Sequence, residues 1–249
     1  MGAVWITGAS GAMGSALARL LAQSGRPLVL SARNEAPLAA LAEQLAVPVA
    51  VQAGDLLEPD TASRLLAAAE SKIGPVDGFA HCIGSTLIRP LHLTAENDLD
   101  AVFKHNFFSA AWALKAFVAA QLAAKRPGSA VLIGSVVARA GFPNHEAIAS
   151  AKAAVDALAL STAASYAERG IRVNCVHPGL TVSRLSARLT GTPELIERHA
   201  HANPLGRLGE GADSAALIAF LLSDAAGWIT GQSISVDGGH AALHPLPKA

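Results

Sequence analysis

Ile6-Thr7-Gly8-Ala9-Ser10-Gly11-Ala12-Met13-Gly14 stands between an apolar run, AVWIT (3–7), and a helical pattern, SALARLLAQSG (15–25). Glycines at such a junction let the chain turn tightly and let its backbone approach a pyrophosphate. The helix that follows offers unpaired N–H groups and the positive end of its dipole. Glycine clusters also serve as plain turns. The position directly after the first strand of a strand–helix–strand unit is what favours phosphate binding here.

Outward from this turn, strand-like and helix-like segments alternate. PLVLSA (27–32), VPVAVQAGD (47–55), VDGFAHCIG (76–84), SAVLIGS (129–135), IRVNCVHPG (171–179) and QSISVDGG (232–239) read as further strands. APLAALAEQLA (36–46), TASRLLAAAESKIG (61–74), one long helix over 99–124, another over roughly 149–168, and GADSAALIAFLLSD (211–224) lie between them. Residues 181–206 are polar and broken by Pro and Gly, and read as an irregular substrate loop. Strands that are apolar throughout and separated by helices predict a parallel sheet covered on both faces. The expected architecture is a single Rossmann-type α/β domain over 1–249, doubly wound, with a sheet of about seven strands.

Hydrophobic residues make up 51% of the 249 and charged residues 15%, with 19 basic and 19 acidic side chains. That balance gives nucleic acid nothing to bind. No run of about 18 apolar residues is present, so no membrane span is expected. The N-terminus is too short for a signal peptide and runs straight into the glycine turn. Cys82 and Cys175 lie in apolar segments and read as free thiols of a reducing, cytoplasmic compartment. The second strand ends Ser31-Ala32-Arg33-Asn34 with no acid before Glu35. An acid near this place would bind a ribose 2′-OH, whereas Arg33 suits a 2′-phosphate; NADP is therefore expected ahead of NAD, a merely solvated Arg33 being the alternative. Asp55 at the exit of the third strand is a candidate acceptor for the adenine amine.

Thr7-Gly8-Ala9-Ser10-Gly11-Ala12-Met13-Gly14 resembles the TGxxxGxG turn of the short-chain dehydrogenase/reductase family, with Ala12 where that pattern has its middle glycine. The likeness continues in order. His81-Cys82-Ile83-Gly84 lies where the family has Asn-Asn-Ala-Gly. Asn106 matches its helix asparagine and Ser135 its serine. Asn174-Cys175-Val176-His177-Pro178-Gly179 matches N-x-V-x-P-G. Pro204 to Gly209, Ser223-Asp224, Ile229 to Gln232 and Val236 to Gly239 match its C-terminal signature. The resemblance implies a nicotinamide oxidoreductase acting on a small carbonyl or alcohol. It implies a cofactor set of Thr7, Gly8, Ser10, Gly11, Ala12, Met13, Gly14, Arg33, Asp55, Leu56, Cys82, Gly84, Lys152, Pro178, Gly179 and Thr181. It also implies a homo-oligomer, a tetramer ahead of a dimer, built on the two long helices.

The family's Tyr-x-x-x-Lys pair is met only in part. Lys152 supplies the lysine, but the residue four earlier is Ile148, and the only tyrosine is Tyr166. In the family the phenol gives a proton to the developing alkoxide, the lysine binds the ribose and lowers the phenol pKa, the serine holds the carbonyl, and the asparagine supports a proton path. Isoleucine has no donor or acceptor, and loss of general acid catalysis costs about 10²–10⁴-fold in rate. Ile148 and Lys152, one helical turn apart, are expected to face the nicotinamide pocket together. His145, three residues before Ile148, is a candidate substitute acid if the helix begins early. The catalytic candidates are thus Ser135, Lys152, Asn106 and His145. His81, His177 and Glu146 are weaker candidates, read first as packing, hydrogen-bonding or solvated groups. Arg184 and Arg188 sit in the irregular loop, where they would suit an acidic substrate or simply face solvent. His199 and His201 lack zinc-like spacing, and no metal site is expected. A non-catalytic dinucleotide-binding scaffold and a non-redox lyase or isomerase are the competing readings.

Overall fold

The computed structural model describes residues 2–243. Seven parallel strands form one sheet in the order β3-β2-β1-β4-β5-β6-β7: β1 Ala3–Thr7, β2 Leu28–Ala32, β3 Val49–Ala53, β4 Val76–His81, β5 Gly128–Ile133, β6 Ile171–Pro178 and β7 Ser233–Val236. The order reverses between β1 and β4. The crevice at such a switch point, outside the carboxyl ends of the strands, is where ligands of open α/β sheets bind.

Successive side chains of a strand point to opposite faces, and the core divides accordingly. Trp5, Phe79, Leu132, Ile171 and Val173 lie on one face under α3 (Thr61–Ile73), α5 (Ser109–Ala124) and α6 (Glu146–Tyr166). Val4, Ile6, Leu28, Leu30, Val131 and Val176 lie on the other, under α1 (Ala12–Gln23), α2 (Glu35–Ala42) and α9 (Gly211–Leu222). Trp5, Phe79 and Phe117 stack in sequence with centroids 5.0 and 5.5 Å apart. Burying each such side chain contributes on the order of 1.5–3 kcal/mol.

Three expectations are corrected. The helix expected over 99–124 starts earlier, at Glu96, and is not uniform: α4 (Glu96–Phe103) and α5 are joined by a π-helical turn over Lys104–Phe108. The helix expected from 149 begins at Glu146. The loop expected over 181–206 contains α7 (Ala187–Thr190) and α8 (Pro193–His201). Thr192 caps α8 by accepting from the Leu195 N–H at 3.3 Å, and Pro193 sits in the first turn, the residue pair that favours a helix start. The continuous helices Glu96–Ala124 and Glu146–Arg169 are long and apolar enough to cross a bilayer by length and composition alone; here they cover one face of the sheet and carry part of its core.

Candidate active site

The loops leaving β1, β4, β5 and β6 open on the same edge of the sheet. Gly8 turns there with φ +69°, and a Cβ on it would lie 2.7 Å from the Cys82 carbonyl carbon. No side chain fits, so the first turn nests against the end of β4. Gly14 is closed in the same way: its Cβ would lie 2.5 Å from the Gly8 oxygen, and only glycine lets α1 pack this close to the turn. The N-cap of α1 is Gly11, with no side-chain cap and no acid in the first turn. Gly11 and Ala12 are exposed, Ser10 and Met13 partly buried. A helix end left bare and positive in this way fits a pyrophosphate. Arg33 is exposed just beyond β2. One oxygen of Asp55 accepts from the Leu57 N–H at 3.0 Å, fixing the exit of β3 above buried Leu56.

At the end of β4 a Cβ on Gly84 would stand 3.1 Å from Asn106 Oδ1 and 3.4 Å from Lys152 Nζ. The missing side chain therefore lets an asparagine from the π turn and a lysine from α6 meet beside this strand end. Asn106 is buried and fully used: its amide donates to Val102 O at 2.8 Å and Ser85 Oγ at 3.0 Å, and its oxygen accepts from the Ser85 N–H at 3.2 Å. The π turn spends one extra residue to aim it, as such turns often do at functional sites. Lys152 Nζ donates to Ile133 O at 2.8 Å, two residues before Ser135. Burial lowers the Lys152 ammonium from its ordinary 10.5 to about 8. Ser135 is half-buried, and its hydroxyl accepts from the Val137 N–H at 3.4 Å.

The histidines separate cleanly. His81 is buried between Thr7 Oγ1 at 2.9 Å and Ser109 Oγ at 3.1 Å. Burial, and then the charge of Lys152, lower it to about 3, so it is a neutral packing residue. His145 is the N-cap of α6, immediately before the helix that carries Ile148 and Lys152. Its Nδ1 is 2.7 Å from Pro143 O and its ring packs on Phe142 at 5.8 Å. His177 is buried behind Ser135 with Asp156 and Ser233. Asp156 was not among the sequence candidates. Its signal was an acid in the middle of an alanine-rich helix, one turn beyond Lys152 and so on the same side. Burial pushes Cys82 up to about 12, and both cysteines are free thiols.

Ile148 departs from expectation. It is 3% exposed and packs with Val102, Ala147 and Ala151, walled by Leu87, Leu99, Phe103 and Val137. It does share a face with Lys152, but the slope of α4 against the start of α6 fills the space in front of it. Tyr166 ends α6, fourteen residues and hence about 21 Å of helix from Lys152, and packs at the rim of the main core. At the far end of the site Thr181 bridges to Gly209 in parallel pairing. A Cβ on Gly179 would lie 2.8 Å from Asp237 Cα, closing the loop after Pro178 against the end of β7.

Residues 8–241 match the family described as enoyl-(acyl carrier protein) reductase. A 2,3-dihydroxy-2,3-dihydro-p-cumate dehydrogenase of Pseudomonas putida is 32% identical over 243 residues, covering 96% of this chain and 93% of its own. The chain belongs to the short-chain dehydrogenase/reductase family. A galactitol 2-dehydrogenase (L-tagatose-forming) of Cereibacter sphaeroides is 33% identical, covering 94% of this chain and 93% of its own. The structure of a short-chain type dehydrogenase/reductase from Mycobacterium ulcerans superposes with a TM-score of 0.90 at 30% identity, covering 96% of this chain and 89% of the other. This short-chain dehydrogenase/reductase is an oxidoreductase of the nicotinamide-dependent kind that its relatives represent.

Proposed function

We propose that the protein is an NADP(H)-dependent reductase or dehydrogenase of a small carbonyl or alcohol, in which Ile148 stands at the family's tyrosine position and Lys152 holds the proton. The observation that carries this reading is the meeting of Lys152 Nζ and Asn106 Oδ1 beside the bare Cα of Gly84, with Lys152 tied to the strand that ends at Ser135. The residues fit the dinucleotide. The turn Thr7 to Gly14 would hold the pyrophosphate, Arg33 a 2′-phosphate, and Asp55 with Leu56 the adenine. Cys82, Gly84, Lys152, Pro178, Gly179 and Thr181 would line the ribose and nicotinamide.

Bound there, the nicotinamide supplies or accepts the hydride. Ser135 Oγ donates to the carbonyl oxygen and holds it. Lys152 Nζ keeps a proton whose loss lies close to neutral pH, because burial penalises its charge. A general acid works best in that range. Reduction draws the proton from Nζ, and oxidation returns it there. Ile88, Leu91, Leu93, Val182 and Leu185 expose apolar surface on the loops after β4 and β6, which favours a substrate with an apolar body.

A second patch supports self-association. Trp112, Leu122 and Leu160 are exposed on α5 and α6 beside a groove of about 270 Å³, while Phe220 and fully exposed Trp228 lie near α9. Two separate apolar faces suit a dimer of dimers. Free thiols fit a reducing, cytoplasmic setting.

Calorimetry with NADPH and NADH, followed by absorbance assays with butane-2,3-dione and NADPH, tests the function. NADPH should bind at least about tenfold tighter than NADH, and Arg33→Asp should reverse the order. Tighter NADH binding by the unmodified protein overturns the cofactor reading. No turnover with a panel of ketones, diketones and secondary alcohols overturns the redox reading.

A further inference from the structure

Behind Ser135 lies a buried polar cluster with no part in that chemistry. The His177 imidazole is wholly buried and uses both nitrogens. Nδ1 lies 3.1 Å from the Ser135 nitrogen and 3.0 Å from its carbonyl oxygen. Nε2 lies 2.7 Å from Ser233 Oγ and 3.1 Å from Asp156 Oδ1. The Ser233 hydroxyl donates to the same carboxylate oxygen. Burial raises the Asp156 carboxyl, but the hydrogen bonds from Ser233 and His177 and the charges of His177 and Arg139 outweigh it, leaving the group below its usual range.

An ionised carboxylate accepts and cannot donate. Nε2 therefore carries a hydrogen towards Asp156 and Ser233, and Nδ1 is left against both the N–H and the carbonyl of Ser135, able to accept from the one or donate to the other. Ser233 donates to Asp156 and Nε2 donates to that pair, so the ring is fixed at one end and holds the Ser135 peptide at the other. Gly134 makes room for it: a Cβ there would lie 2.5 Å from the imidazole. Cys175 Sγ comes within 4.8 Å of the Asp156 and His177 ligand atoms, a grouping that could hold a cation. Arg139 already faces Asp156 at 3.5 Å, and Asp156, His177 and Ser233 bond one another, so the cluster is organised as a hydrogen-bond brace.

We propose that His177, braced by Asp156 and Ser233, is the positioning residue for Ser135, holding its peptide so that the hydroxyl stays aimed at the carbonyl site. The role rests on the reading of Ser135 given above. Its outer end borders a cavity of about 290 Å³ lined on the polar side by Arg139, Asp156, Gln232 and Ser233, so Asp156 can be changed without touching the reacting groups.

Amide hydrogen exchange on the full chain tests the brace without any assay of turnover. Asp156→Asn and His177→Gln should each speed exchange of the Ser135 amide by about tenfold or more, the loss of roughly one hydrogen bond. Trp5 and Val131 should stay protected. His177→Asn places an amide oxygen where Nδ1 was and should recover much of the protection. Unchanged exchange at Ser135 in both Asp156→Asn and His177→Gln overturns the proposal, as does equal loss in His177→Asn and His177→Gln. Turnover of butane-2,3-dione with NADPH adds the functional arm. His177→Gln should lower kcat with KM for NADPH unchanged, and should cause no further loss in a Ser135→Ala background. Additive losses overturn the positioning role. If the unmodified protein reduces no carbonyl at all, the proposed function fails, and the exchange data still decide the brace.

Discussion

The glycine turn at the start of α1 and the inner face of α6 serve one site by opposite means. The turn works through backbone alone. Gly8 and Gly14 are required because any side chain would strike adjacent backbone at 2.7 and 2.5 Å, and the groups the turn would offer a phosphate are N–H donors that every residue but proline carries. The α6 face offers side chains instead, and Ile148, which has no proton to give, sits there within an intact helix. Binding built from backbone survives sequence drift that side-chain chemistry does not. On the function proposed above, dinucleotide binding rests on the turn, and the acid–base role passes from position 148 to Lys152.

The harshest way to break the contrast is Gly8→Val. It puts a β-branched residue at φ +69° against the Cys82 carbonyl. Strain and overpacking together should cost about 3 kcal/mol or more. Thermal unfolding and NADPH calorimetry should show a large drop in midpoint and loss of binding, whereas a stable, NADPH-binding variant would show that the turn is not closed by backbone contact.

Lys152→Met asks the same of the side-chain half, with a mixed outcome expected. Turnover should fall by about 10²-fold or more, yet the free protein should become more stable at neutral pH. The lysine pKa is depressed on folding, so the unfolded chain binds the extra proton between about 8 and the ordinary 10.5. The cost of the buried charge is present in full below about pH 8 and is relieved as pH rises through that window. It amounts to at most about 3 kcal/mol. Denaturant titrations at pH 7 and 10 should therefore show the variant ahead at pH 7 and the difference shrinking at pH 10. A less stable variant at pH 7 would contradict the burial argument.

Ile148→Tyr sharpens the comparison further. Leu87, Leu99, Phe103 and Val137 surround the side chain, so the phenol should overpack and destabilise the fold by about 1–3 kcal/mol. An unchanged unfolding midpoint would mean that the face opens on to the site after all.

The smallest effect belongs to a contact remote from both regions. Arg207 reaches Asp213 through two bonds of 2.7 and 2.8 Å, and Asp213 also accepts from the Glu210 N–H in the capping box of α9. These hydrogen bonds hold its carboxyl down at about 2. Its stabilisation is present above about pH 4 and is lost as pH falls towards 2. The pair is largely exposed, so Asp213→Asn should cost less than about 1 kcal/mol. A larger loss at pH 7, or none of it disappearing in acid, would show that solvent screens the pair less than its exposure implies.

How much the sequence disclosed follows the same division. The apolar strands and the glycine turn could be read because burial and backbone conformation restrict residue type locally. The π turn at Lys104–Phe108 could not, since a shift in hydrogen-bond register leaves no compositional trace. Thr192-Pro193 did carry a helix-start signal that the polar, broken look of 181–206 obscured. The packing of Ile148 depends on residues 45 to 61 positions away in α4 and the loop before it, and the Asp156–His177–Ser233 cluster joins α6, β6 and β7. Such meetings are made by topology, and no periodicity announces them.

The pH dependence of kcat/KM for reduction of butane-2,3-dione by NADPH tests the central claim most directly, because it reports ionisations of the free enzyme. With Lys152 holding the proton, activity should be level in the neutral range and fall as pH rises through about 8, and Lys152→Met should show neither the activity nor the fall. Activity that persists unchanged to pH 10, or that survives in Lys152→Met, would contradict the assignment.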